Sequence, residues 1–172
     1  MKWKVVLAKT SMQIITVTKD SPKQIVITKP EQYQIDLVDP GVELEISGRF
    51  LVKNKDQANL EVIIHHMAPH TKAKTNFKGV VDDQGFLRIL GRIIIDQNCP
   101  DTNSFLEERI ILLSDQARAE AIPDLEILSD DVKCSHAAAI SHLNQDQLFY
   151  LQSRGLNYKQ AQQMIVAGFL ET

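Results

Sequence analysis

Only two cysteines, Cys99 and Cys134, occur among the 172 residues, and neither belongs to a CxxC pair. This excludes a disulfide-stapled scaffold and the cysteine-rich metal folds. No apolar run approaches the ~18–20 residues that a membrane-spanning helix needs. Blocks of like charge are missing too. The 19 Lys and Arg residues are interspersed with 22 Asp and Glu, for a formal net charge of −3, so nucleic-acid binding is not the main business of the chain. The opening segment MKWKVVLAKTSMQ has a short apolar core, interrupted at Lys9, and no small-residue cleavage site. It reads as a first strand rather than a signal peptide, and a cytoplasmic location with free thiols is expected. There is no GxSxG elbow and no phosphate-binding glycine loop, so the chain does not hydrolyse ATP by itself. The acidic pairs Asp82-Asp83, Glu107-Glu108 and Asp130-Asp131 are adjacent residues. In a strand, such neighbours point to opposite faces, unlike cooperating acid and base carboxylates. They are expected at turns and solvated rims, and no enzymatic activity of the chain's own is expected.

An apolar fraction of 44% and a charged fraction of 24% suit one soluble globular domain. Short runs of Val, Ile, Leu and Thr dominate the first half, in WKVVLAK, MQIITVTK, KQIVITK, YQIDLV and VELEISGRFLV. Turn signals at Ser21-Pro22, Pro30 and Asp39-Pro40-Gly41 separate them. Further runs follow, marked by Ile63, Val80, Ile94, Ile111 and Ile127, with turns expected at DDQG, NCPDTN and IPD. Strand runs recurring every roughly 14 to 18 residues suggest stacked coils. A sandwich of hairpins competes, because Asp83-Gln84-Gly85 can close a hairpin.

The end of the chain changes period. Asn144 with Gln147 forms a capping box that opens a helix through about Ser153, and Gly155 supplies a left-handed stop. Asn157 caps a second helix with an apolar stripe of Ala161, Met164, Ile165, Gly168 and Phe169. The division is therefore a β core over 1–143 and a helical hairpin over 144–172, within one domain. Leu148, Phe149, Tyr150 and Leu151 are consecutive, more than one helix face can bury. Part of that ring is expected to cover the last coil, and the rest to dock another protein.

Cys134 and His136 stand two residues apart, so in a strand both point the same way. Thiolate and imidazole are the best soft-metal donors a protein has. The plainer alternative is a small buried thiol beside a rim histidine. Weaker metal candidates are Cys99, in a turn before Pro100, and the cluster of His65, His66 and His70. No carboxylate motif accompanies those histidines. One of them is expected to turn inward and the others to be solvated.

The run Leu125 to Leu128, then DDVKCSH at 130–136, DQLFYLQSRGL at 146–156 and the tail QAQQMIVAGFLE resemble the SufB/SufD family of iron–sulfur cluster assembly proteins, the SufD branch most closely. The likeness continues more weakly upstream through HHMAPHTKAKTNFKGVVDDQGFLRILGRIII, to span roughly 60–172. It implies a mainly β fold, a right-handed parallel β-helix core with the C-terminal helical hairpin. It implies a non-catalytic scaffold partnered by a SufC-like ABC ATPase, and either a homodimer or a SufB-like partner. Cys134 and His136 match the cysteine and histidine that SufD carries at its interface with SufB. A transient iron–sulfur cluster or iron at that interface is implied, with none tightly bound. The hairpin residues Leu148, Phe149, Tyr150, Leu151, Arg154, Met164 and Phe169 fall in the region that engages the ATPase. The departures are a missing N-terminal region, Ala137-Ala138-Ala139 where Gly-Ala-Thr is common, and NSFLEER before Ile110. The essential cysteine of the SufB branch falls near Glu107 or Glu108. These departures leave a rival expectation, a β-helix interaction module without metal chemistry.

Overall fold

The computed structural model describes residues 11–171. The segment WKVVLAK lies outside them. The chain forms β1 (Gln13–Val17), β2 (Gln24–Ile27), β3 (Gln32–Leu37), β4 (Glu43–Val52), β5 (Gln57–His66), β6 (Lys72–Val81), β7 (Phe86–Ile95), β8 (Thr102–Leu112), β9 (Arg118–Ile127) and β10 (Val132–His142), followed by α1 (Gln145–Ser153) and α2 (Tyr158–Glu171). Odd and even strands segregate into two five-stranded sheets, β1-β3-β5-β7-β9 and β10-β8-β6-β4-β2, and every pairing is parallel. This is a parallel β-solenoid with two strands per coil. Gln57 pairs with Phe86 and Phe86 with Arg118, so these coils are 29 and 32 residues long. The recurrence seen in the sequence is half a coil, because successive runs alternate between the sheets. The sandwich alternative fails at Asp82–Gly85, which joins β6 to β7 in the opposite sheet rather than closing a hairpin.

Period-two alternation builds this interior. In β7 every second residue is buried, and stacking in register sets like on like, as in the column Ile35, Ile64, Ile93, Leu125. Burying each such isoleucine contributes about 1.5–3 kcal/mol. Left-handed residues turn the corners, including Asn54 and Asp83 on one side and His70, Asp101 and Asp131 on another. Asn and Asp tolerate that conformation best among non-glycine residues. The IPD segment is not a turn. Pro123 lies within β9, an edge strand, where a missing amide hydrogen costs no ladder bond on the free side.

Both helices are capped as the sequence predicts. Asn144 Oδ1 accepts from the Gln147 amide at 3.0 Å. Asn157 and Gln160 exchange bonds reciprocally, at 2.9 and 3.0 Å. Gly155 takes φ +96° between the helices. The position of the hairpin differs from expectation. Leu143, Leu148 and Ala161 form a small cluster with Ile111, Leu113, Leu151, Leu156 and Ile165, so the helices lie against the outer face of the β8 sheet. They do not cover the last coil, where His136, Ala138 and Ile140 remain exposed.

Candidate functional site at the open end of the solenoid

Among the described residues, β9 and β10 are the last strands of their sheets, paired only with β7 and β8. Each therefore carries a row of backbone donors and acceptors along a free edge. Cys134 sits beside Ser104, His136 beside Leu106 and Ala138 beside Glu108, and all three partners are buried. Cys134 and His136 thus share the inner face of the solenoid, as their spacing predicts. Across from them, Ala119, Ala121, Pro123, Leu125 and Ile127 of β9 pair with the inner-facing residues of β7 and continue the same interior. No further coil lies above among the described residues. The result is an apolar floor bearing one thiol and one imidazole.

Cys134 is half-buried and packs against the main core, whereas His136 is exposed. Burial pushes the Cys134 thiol above its ordinary value, so it is protonated at neutral pH and must lose a proton to ligate. With His136 it makes two of the four donors that a tetrahedral site requires. Among the described residues, no three His, Cys, Asp or Glu side chains gather to hold a metal ion.

Directly beneath lies a residue that sequence reasoning assigned to a solvated rim. Glu107 does face outward, accepting from Asn76 Nδ2 at 2.6 Å. Glu108 points inward and is fully buried, and no side chain hydrogen-bonds to either carboxyl oxygen. Its carboxyl fills the space left by a glycine, since a Cβ on Gly91 would stand 2.6 Å from Oε1. Burial raises its pKa to about 8, opposed only in part by the Gly91 backbone, and the group is mostly neutral at pH 7. The inward phase of Ser104, Leu106, Glu108 and Ile110 was the available signal.

The weaker candidates disperse. His66 turns inward, fully buried, with Nδ1 2.8 Å from Thr71 Oγ1, and burial lowers its pKa to about 4. His65 faces out between Asp36 and Asp96, at 3.5 and 2.9 Å. His70 pairs with Asp101 at 3.1 Å. Carboxylates do accompany these two histidines, supplied by neighbouring coils where sequence spacing cannot show them. Cys99 is buried rather than exposed, its thiol pushed up by burial and by Asp96.

On the hairpin, Leu148 is buried and Leu151 half-buried, while Phe149, Tyr150 and Met164 are exposed. The Arg154 guanidinium lies 5.7 Å from the Tyr150 ring centroid. An open groove of about 870 Å³ separates the hairpin from β8 and β10, lined by Arg109, Ile111, His142, Tyr150, Met164 and Phe169 among others. No helix among the described residues is long and apolar enough to cross a membrane.

Residues 12–169 match the family described as SUF system FeS cluster assembly, SufBD core domain. The chain is similar to iron–sulfur cluster assembly protein SufD of Escherichia coli, 35% identical over 126 residues, covering 73% of this chain and 30% of that protein. An iron–sulfur cluster assembly SufBD family protein of Synechocystis is 38% identical over 101 residues, covering 59% and 22%. SufB of Bacillus subtilis is 31% identical over 106 residues, covering 62% and 23%. The matched stretch spans less than a third of each of these relatives.

Proposed function

Since the chain belongs to the SufBD core family of the SUF iron–sulfur cluster assembly system, we propose that it is a non-catalytic scaffold subunit that pairs through its open end. The partner is a second copy or a SufB-like chain, joined along the free edges of β9 and β10 by strand addition. Pairing covers the exposed inner face and supplies the donors that Cys134 and His136 lack. A nascent cluster or iron is then cargo held between two chains, not a resident cofactor of either. The hairpin at 145–171 docks an ABC-type ATPase through Phe149, Tyr150 and Met164, whose exposure leaves them available. The observation that carries this reading is the register that puts Cys134 and His136 on the inner face of β10, above which no coil lies among the described residues.

A second reading is favoured by the lack of any three-ligand cluster among the described residues. The chain then pairs and binds the ATPase without touching metal. Anaerobic iron and sulfide reconstitution of the paired complex separates the two. Wild type is expected to develop iron–sulfur charge-transfer absorption that Cys134→Ala/His136→Ala loses. Identical spectra from both would remove the ligand role and leave the second reading.

A further inference from the structure

The outer face of the β8 sheet carries three cations in one column. Arg49 of β4 pairs with Lys78 of β6, and Lys78 with Arg109 of β8, so neighbouring side chains start only about 4.8 Å apart. Such a row repels itself. What it faces is the last turn of α2, where backbone carbonyls have no partner within the helix and the macrodipole is negative. Arg49 Nε donates to Leu170 O at 2.8 Å, and Lys78 Nζ donates to Phe169 O at 2.7 Å. Lys78 Nζ also stands 5.2 Å from the Phe169 ring centroid, and the Arg109 guanidinium 5.8 Å from it. Lys78 is almost fully buried in this arrangement. Burial and the flanking Arg49 and Arg109 charges lower its pKa, as expected for an ammonium held in a crowded cationic row.

The rest of the hairpin is fixed differently. Its apolar anchor is the small cluster around Leu143, Leu148 and Ala161, which joins α1 and the first half of α2 to the sheet and stops short of the last turn of α2. We propose that the Arg49–Lys78–Arg109 column is an electrostatic latch that seats the end of α2 on the solenoid, making the hairpin a strap anchored by apolar packing at one end and by charge at the other. The latch spans three adjacent strands, so displacement of the hairpin is felt by β4, β6 and β8 together, and β8 is the neighbour of β10. A partner that lifts α2 must uncover the buried Lys78 and break the bonds from Lys78 and Arg49 to the helix carbonyls, which sets a threshold for movement. The inference concerns this chain alone and stands whether or not the hairpin docks an ATPase.

Hydrogen exchange of the purified chain tests it. Lys78→Met keeps the apolar stem and removes the charge. Loss of the charge-assisted bond and of the helix-terminus interaction should speed exchange of amides in 166–171 by about tenfold, with the solenoid strands unchanged. Lys78→Arg, which keeps the charge, should preserve most of the protection. Should Lys78→Met fail to fold, Arg49→Gln reports on the same latch from its exposed end, with an expected acceleration of about threefold. The proposal is overturned if 166–171 exchanges at the wild-type rate in the Met or Gln variant, or if Met and Arg at position 78 behave alike.

Discussion

Ile93 and Ile140 point into the same solenoid, yet Ile93 is fully buried and Ile140 is 42% exposed. Both strands obey the same alternation, and both residues stack in register on a buried isoleucine. The difference is the coil that follows. Ile93 has Leu125 above it, and Ile140 has nothing among the described residues. Burial in a solenoid is granted by the next coil, not by the residue itself. The last described coil, with inward-facing apolar residues and free edges, is the surface through which the proposed pairing would run, and Cys134 and His136 lie on it.

The largest effect should come from the middle coils. Ile93→Ala is expected to cost about 3 kcal/mol, the usual result of opening a cavity in a fully packed core. Urea denaturation at constant m-value measures it, and a cost below about 1 kcal/mol would mean that the middle is no better sealed than the end.

An intermediate effect should come from Glu108, one strand beneath the open end. Its folded pKa of about 8 lies above its ordinary 4.5, so the folded state holds the proton more tightly. The associated stability is complete below pH 4.5 and lost as pH rises through 8. His66 acts oppositely, since its pKa falls from 6.5 to about 4, and its contribution is complete above pH 6.5 and lost as pH falls through 4. Below pH 6.5 the two slopes oppose each other, and between 6.5 and 8 that of Glu108 stands alone. Wild type should lose up to about 1.4 kcal/mol per pH unit there, and Glu108→Gln should be flat by comparison. Parallel pH profiles for the two proteins would show that Glu108 already reaches water, which would break the distinction between sealed interior and open end.

The smallest effect should come from Ile140→Ala, at below about 1 kcal/mol for the isolated chain, because its side chain already meets solvent. A cost equal to that of Ile93→Ala would remove the contrast altogether.

Much of this was legible in the sequence. The strand runs, the two helix N-caps and the shared face of Cys134 and His136 follow from local spacing and short-range hydrogen bonds. The coil length did not, because half-coil runs in two sheets look alike until register is known. Pro123 read as a turn because nothing local reveals that its strand has a free edge. Glu108 was misjudged for a related reason. Its inward phase is visible, but the glycine that makes room for it is 17 positions away in the other sheet. The Asp partners of His65 and His70, 29 to 31 residues distant, and the Arg49–Lys78–Arg109 column are products of stacking alone.

Whether the open end is an interface is tested most directly by hydrogen exchange on the dilute chain, alone and saturated with a SufB-type subunit. The account predicts that amides of β9 and β10 slow by at least about tenfold, as free edges acquire ladder partners, while those of 145–171 keep their rates. Slowing confined to the hairpin, with β9 and β10 unchanged, would contradict it.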